Sequence, residues 1–130
     1  MPSYTNVVLI DDDAIDNLIN QKIMESNNFA ENIQVFKTGQ DALDYLQNTE
    51  ATPDQLPDLI FLDINMPIMD GFQFMEKFEA LSTTIHDKCK IIMLSSSISP
   101  RDIDRAASNR FVKKYLNKPL NARYLQAITI

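Results

Sequence analysis

The stretch Asp58-Leu59-Ile60-Phe61-Leu62-Asp63-Ile64-Asn65-Met66-Pro67-Ile68-Met69-Asp70-Gly71 decides the fold. Its four consecutive apolar residues, 59–62, are typical of a central parallel strand that is covered on both faces. Asp63 follows at the carboxyl end of that strand, where open α/β sheets bind their ligands. A turn rich in Asn, Pro, Asp and Gly then leads into an amphipathic helix. We therefore interpret Asp63 as a candidate nucleophile for a phosphoryl group.

The rest of the chain alternates between short apolar runs and helical patterns. The apolar runs predict strands at residues 7–10, 33–36, 59–62, 90–94 and 112–116. The patterns between and after them predict five helices, at about residues 14–27, from 38 through 46, over 72–78, at 99–109 and at 121–128, with a polar loop at 48–57. A strand followed by a helix, five times over, predicts a parallel sheet with right-handed crossovers and helices on both faces. We therefore expect one three-layer α/β/α domain over residues 1–130.

Four of these helices show specific signals. Ile15, Leu18, Ile19 and Ile23 have the spacing of an amphipathic first helix. Thr38 with Asp41, and Ser99 with Pro100 and Asp102, have the composition of helix N-termini, as does Asn121 before the last helix.

Composition narrows the function classes. Twelve Lys and Arg against 18 Asp and Glu give a net charge of −6, which argues against nucleic acid as the main partner. The single cysteine, Cys89, excludes an internal disulfide and fits a reducing cytosol. The segment Met1–Asn6 has no basic region, and the apolar run after it covers only residues 7–10. We therefore expect a soluble cytoplasmic protein with no signal peptide and no membrane contact.

Residues whose side chains can bind a metal or take part in a reaction follow four of the five predicted strands. They are Asp11 and Asp12 after the first, Asp63 after the third, Ser95 after the fourth and Lys118 after the fifth. In a parallel sheet these ends share one edge, so the side chains can converge. Clustered carboxylates repel each other, and a hard divalent cation such as Mg²⁺ would relieve the repulsion. Such a cation would let anionic Asp63 attack a phosphorus atom, while Ser95 and Lys118 bind phosphoryl oxygens.

Four motifs together resemble the receiver domain of response regulators in two-component signalling. They are Leu9-Ile10-Asp11-Asp12-Asp13, Leu62-Asp63-Ile64-Asn65-Met66-Pro67-Ile68-Met69-Asp70-Gly71, Met93-Leu94-Ser95-Ser96 and Tyr115-Leu116-Asn117-Lys118-Pro119. They span essentially the whole chain in the order of the family. The resemblance implies a flavodoxin-like strand order of 2-1-3-4-5. It also implies a stand-alone, chemotaxis-regulator-like signalling protein.

The resemblance further implies a role for each matching residue. Asp63 would be phosphorylated by a histidine kinase or a histidine phosphotransfer protein. Mg²⁺ would be held directly by Asp12 and Asp63, through a water by Asp11, and by the backbone carbonyl of Asn65. Ser95 and Lys118 would contact the phosphoryl group, and the Lys118–Pro119 peptide would be cis.

The resemblance also implies a switch. Tyr115 would turn inward when Ser95 moves toward the phosphate, changing a surface that binds an unknown downstream protein or forms a phosphorylation-dependent dimer. Ser97 and Asn65, each two residues after a site residue, occupy positions where the family tunes access of water. The protein would not be an enzyme beyond its own phosphorylation and dephosphorylation.

Other classes of protein fit the same residues less well. An aspartyl phosphohydrolase needs a general acid two residues after the nucleophile, where this chain has Asn65. A flavin carrier needs a phosphate-binding loop after the first strand, where three aspartates stand. A degenerate receiver would lack site residues, and a calcium loop would need a glycine and a final glutamate that are missing after Asp11.

Some residues are assigned no direct role in the chemistry. Asp13 and Asp16 are interpreted as charges favoured at a helix N-terminus, and Ser96 and Ser97 as loop hydroxyls. His86 is placed in a polar loop and is not a phosphodonor. Phe111 stands before the fifth strand where receivers often have a small turn with glycine, and we expect it to remodel the neighbouring partner surface.

Overall fold

The computed structural model describes residues 2–128. Predictions that concern Met1, Thr129 and Ile130, including both ends of the predicted domain, lie outside them. Within this range five parallel strands form one sheet in the order β2-β1-β3-β4-β5, as expected. The strands are β1 Tyr4–Ile10, β2 Ala30–Phe36, β3 Leu59–Leu62, β4 Lys90–Ser95 and β5 Val112–Asn117.

Six α-helices and one 3₁₀ turn connect the strands in this part of the chain. They are α1 Ala14–Ser26, α2 Gly39–Thr49, the 3₁₀ turn Pro53–Gln55, α3 Gly71–Glu79, α4 Thr83–Lys88, α5 Pro100–Ser108 and α6 Ala122–Ala127. The prediction of five helices missed α4, and His86 lies on this helix rather than in a loop. A six-residue helix with one buried side chain, Ile85, is too short to show a helical repeat. No helix within residues 2–128 has the length and apolar character needed to cross a bilayer.

The helix starts follow from local hydrogen bonds. The side chain of Asp13 accepts from the amides of Ile15 and Asp16 at the start of α1. Thr38 and Asn121 cap α2 and α6 as predicted. Ser99 stands at the predicted N-cap of α5, followed by Pro100, but its side chain makes no capping hydrogen bond.

The sheet has an apolar core on each face. Leu59, Ile60, Phe61 and Leu62 are at most 2% exposed, because β3 lies in the centre of the sheet and contributes to both cores. Strand β2 is partly exposed along its length, as expected for an edge strand. The next strand, β1, pairs with β2 on one side and with the central β3 on the other, so the carboxyl ends of β1 and β3 lie side by side.

Helix α1 forms where predicted, but of its apolar stripe only Ile23 packs against a core, and the other three residues face solvent. Ile15, Leu18 and Ile19 are 69%, 53% and 44% exposed. The buried residues of the helix are Asn17, Asn20 and Met24. The cap at Asp13 fixes the start of the helix, and Asn17 Nδ2 donates to the carbonyl oxygen of Asp11 at 2.8 Å, so the amide side is turned inward.

Candidate functional site

Three carboxylates meet at the carboxyl edge of the sheet. Asp11 and Asp12 follow β1, and Asp63 follows the adjacent strand β3, with which β1 pairs up to Ile10 and Leu62. One oxygen of each of the three aspartates lies within 4.8 Å of the others. Asp11 and Asp63 are only 4% and 6% exposed, whereas Asp12 faces solvent. The three carboxylates therefore lie together, as the positions of the predicted strand ends indicated.

The backbone holds Asp63 tightly in place. Its amide donates to the carbonyl oxygen of Ile10 at 3.0 Å, and the amide of Gly71 donates to the carbonyl oxygen of Ile64 at 2.8 Å. A Cβ atom on Gly71 would lie 2.6 Å from the carbonyl oxygen of Asp63 and 2.9 Å from Cα of Ile64. Glycine is therefore required where α3 begins, because the helix start passes directly against the acceptor's own backbone.

Lys118 supplies the positive charge of the site. Its Nζ atom lies 2.7 Å from Asp11 Oδ2, 2.8 Å from Asp16 Oδ2 and 3.5 Å from Asp63 Oδ1. The Lys118–Pro119 peptide is cis, as the resemblance implied. Burial by itself would lower the pKa of Lys118, but hydrogen bonds to Asp11 and Asp16 outweigh it and raise that pKa, so the ammonium stays charged.

The environment makes ionised Asp63 unfavourable in the absence of a metal. Burial first, and the charge of Asp11 second, raise the pKa of Asp63 to about 6, against an opposing effect of Lys118. Three hard oxygen donors with mutually repelling charges are what a divalent cation such as Mg²⁺ prefers. The donor set therefore fits a hard divalent cation, which would offset the repulsion that raises this pKa.

Ser95 and Tyr115 are linked through the loop between β4 and α5. Ser95 is fully buried, and its hydroxyl oxygen accepts from the amide of Ser97 at 3.1 Å. The carbonyl oxygen of Ser97 accepts from the Tyr115 hydroxyl at 2.8 Å and from Asn117 Nδ2 at 2.9 Å. Ser97 thus hydrogen-bonds to Ser95 through its amide and to Tyr115 through its carbonyl oxygen.

The remaining residues singled out in the sequence lie partly near this site and partly at the opposite edge of the sheet. Asn65 and Ser96 are exposed on their loops. The Ser97 hydroxyl donates to Asp102 at 2.7 Å and so belongs to the start of α5. His86 lies beyond the amino end of β4, at the edge of the sheet opposite Asp63, where its ring centroid is 4.3 Å from that of Phe111 and the two rings are tilted by 38°. Phe111 packs inward there, 5.5 Å from the ring of Phe78.

Two side-chain contacts of the site, Asp16 with Lys118 and Asn17 with Asp11, were not predicted from the sequence. Asp16 was interpreted only as a helix charge, yet it binds Lys118. Its place in the first turn of α1, close in sequence to Asp11 and Asp12, is the signal that could have found this contact. Asn17 is buried against Asp11 although its type favours the surface. The available signal for that contact was the position of Asn17 on the face of α1 opposite the apolar residues Ile15, Leu18 and Ile19.

Comparison with known proteins identifies the class. The chain matches the response regulator receiver domain over residues 7–129. A two-component response regulator from Cytophaga hutchinsonii, known from its crystal structure, is 34% identical, with a TM-score of 0.89 over 95% of this chain and 92% of that one. The chain therefore belongs to the receiver domain family of response regulators, the phosphoacceptors of two-component signalling.

Curated relatives differ in length and context. The probable methanogenesis regulatory protein FilR2 of Methanothrix harundinacea is 29% identical over 88% of this chain and 72% of its own length. The two-component response regulator ORR1 of Oryza sativa is 27% identical over 95% of this chain, which spans only 53% of ORR1. Receiver domains of this family interact with histidine kinases or phosphotransfer proteins.

Proposed function

We propose that Asp63 accepts a phosphoryl group from a phosphohistidine of a kinase or phosphotransfer protein, in a Mg²⁺-dependent reaction. The observation that carries this proposal is the meeting of Asp11, Asp12 and Asp63 within 4.8 Å, with Lys118 Nζ at 3.5 Å from Asp63. A carboxylate oxygen of Asp63 attacks the phosphorus and the P–N bond breaks. The electron pair returns to the imidazole nitrogen, which takes up a proton, and an acyl phosphate forms on Asp63.

The surrounding residues have separate tasks. Asp12 and Asp63 would hold the Mg²⁺ directly, Asp11 would do so through a water and Asn65 through its backbone carbonyl. The ion would supply positive charge that neutralises the phosphoryl oxygens. Lys118 donates to a phosphoryl oxygen, since an ammonium has three donors and two of them are used by Asp11 and Asp16. Asn65 cannot act as a general acid, so we propose no turnover of other phosphate esters.

Phosphorylation switches the protein through the loop after β4. The Ser95 hydroxyl oxygen accepts from the amide of Ser97 at 3.1 Å, which leaves its proton free for a phosphoryl oxygen, so a shift of Ser95 toward the phosphate moves the loop through this hydrogen bond. Moving this loop also breaks the 2.8 Å hydrogen bond from Tyr115 to the Ser97 carbonyl and frees the ring. The surface of α5 and β5 then changes its affinity for a downstream protein or for a second copy of this chain.

The exposed stripe of α1 supports a protein as phosphodonor. Ile15, Leu18 and Ile19 are exposed on the helix whose first turn contacts Lys118 through Asp16. Ile68 is fully exposed on the loop after Asp63, with a φ of 70° that is unfavourable for a β-branched residue. Apolar side chains beside the acceptor suit docking of a donor helix bundle in a cytoplasmic complex. We treat residues 1–130 as a single receiver domain in this scheme.

Intact-protein mass spectrometry tests the proposal. The purified chain is incubated with acetyl phosphate in Mg²⁺ and, in parallel, in EDTA. We expect the mass of one phosphoryl group in Mg²⁺ alone, and its loss on Asp12→Asn. The matched control is Asp13→Asn, which removes a neighbouring charge while keeping a side chain that caps α1. Equal labelling in EDTA would contradict the proposal.

A further inference from the structure

Helix α1 places two asparagines directly beneath the acidic cluster. Asn17 and Asn20 are each 4% exposed, although apolar residues of the same helix face solvent. Burial of an amide is unfavourable unless its polar atoms find hydrogen-bond partners. The orientation of α1 therefore points to a polar task for its inner face, because apolar packing would be served better by the opposite orientation.

Only one of the two polar atoms of the Asn17 side chain has a hydrogen-bond partner within residues 2–128. Its Nδ2 donates to the carbonyl oxygen of Asp11 at 2.8 Å, which also fixes which way the amide points. Its Oδ1 is buried and has no hydrogen-bond partner among residues 2–128, and it is the one buried side-chain polar atom there of which this is true. Such an atom is usually paired with an ordered water in a native protein.

A small cavity lies next to this oxygen. It is lined by four polar residues, Asp11, Asn17, Asn20 and Asp63, and by apolar walls from Leu9, Ile10, Phe61 and Leu94. Its volume of about 10 Å³ corresponds to one water molecule. A water there has suitable partners, because it can donate to Asn17 Oδ1 and to a carboxylate oxygen and accept from the Asn20 amide.

We propose that this cavity binds one ordered water between Asn17, Asn20 and the carboxylates of Asp11 and Asp63, and that the two asparagines are positioning residues for the acceptor. The water hydrates the inner side of the acidic pair, which the metal and the phosphodonor approach from outside. Asn17 in addition fixes the carbonyl of Asp11 and so the loop that carries Asp12. The positioning role rests on the proposed function, whereas the water site does not.

The first test is a crystal structure of the wild-type protein at about 1.5 Å resolution. We expect density for one water within hydrogen-bond distance of Asn17 Oδ1 and Asn20. An empty cavity, or Asn17 Oδ1 bonded directly to Asn20, would overturn the proposal. This result is independent of whether Asp63 is phosphorylated. Failure of the wild-type chain to label would instead overturn the proposed function and leave the water site standing.

The second test compares two substitutions at one position. Asn20→Leu fills the space and expels the water, and we expect labelling by acetyl phosphate to slow about tenfold, as for loss of a hydrogen bond to a charged group. Asn20→Ala leaves room for the water, and we expect a smaller loss. A role in packing alone predicts the reverse order, because leucine restores the volume that alanine removes. That reverse order, or equal rates, would overturn the positioning role. Asn48→Leu, the same change at an exposed site on α2, should label at the wild-type rate.

Discussion

Replacing the acceptor with its neutral isostere, Asp63→Asn, should stabilise the metal-free protein at neutral pH. The pKa of Asp63 is raised from 3.8 to about 6, chiefly by burial. Below pH 3.8 the carboxyl is protonated in both folded and unfolded chains and contributes no difference. As the pH rises toward 6 the unfolded chain ionises first, so the free energy of unfolding falls.

The size of the effect follows from the same values. The difference between about 6 and 3.8 corresponds to about 3 kcal/mol above pH 6. Asparagine avoids this loss, and the attraction of Lys118, 3.5 Å from Asp63, needs no separate correction because it already lowers the pKa of Asp63 to the value of about 6. We therefore expect Asp63→Asn to raise the free energy of unfolding by about 1–3 kcal/mol at pH 7.5, and by little at pH 4.

Urea unfolding followed by circular dichroism, in EDTA from pH 4 to 8, measures this directly. Asp58→Asn is the matched control with the opposite sign. Burial would raise the pKa of Asp58, but Lys88 and the amides of Asn6 and Thr5 outweigh it and lower that pKa, so its loss should destabilise. Added Mg²⁺ should stabilise the wild type more than Asp63→Asn. A variant no more stable than the wild type at pH 7.5 in EDTA would refute the reasoning.

Three further predictions concern the scaffold. Gly71→Ala should lower the free energy of unfolding by about 1–3 kcal/mol and slow labelling, because a Cβ there lies 2.6 Å from the backbone carbonyl oxygen of Asp63. Gly39→Ala should be milder in the same urea and labelling assays, because the nearest atoms to a Cβ there belong to side chains, Met69 Sδ at 2.7 Å and Phe74 Cδ2 at 3.3 Å. Phe111→Ala should lower the free energy of unfolding by about 2 kcal/mol, because the contacts of its ring with Phe78 and His86 are lost. As a control, Ile98→Ala at an exposed position should change the free energy of unfolding by less than about 0.5 kcal/mol. Burial raises the pKa of Cys89 to about 12, so iodoacetamide should alkylate it only after unfolding, as followed by mass spectrometry; rapid alkylation of the folded protein would contradict this.

Sequence patterns predicted the parts of the molecule that depend on local periodicity. The run from Leu59 to Leu62 is buried on both faces because four apolar residues in a row fit only a central strand. Since parallel strands end at one edge, the positions of Asp11, Asp63 and Lys118 along the chain sufficed to place them together. The resemblance then supplied the strand order.

Other features depend on contacts that no periodicity shows. Helix α1 turns Asn17 inward because Asp13 caps the start of the helix and Asn17 donates to the Asp11 carbonyl oxygen. Ile15 and Leu18 stay exposed in this orientation. The bond from Asp16 to Lys118 joins residues 102 positions apart. Phe111 was expected to remodel a partner surface, yet it packs inward against Phe78 and His86, a pairing that required α4 to be known.

Locating the phosphoryl group on the chain tests the central claim most directly. The protein is labelled with acetyl phosphate and Mg²⁺, the acyl phosphate is reduced with borohydride, and the peptides are sequenced by mass spectrometry. We predict that the reduced residue, homoserine, stands at position 63 and that Asp63→Asn yields none. Homoserine at position 11 or 12 in the wild type, or labelling that persists in Asp63→Asn, would contradict the assignment of Asp63 as the acceptor.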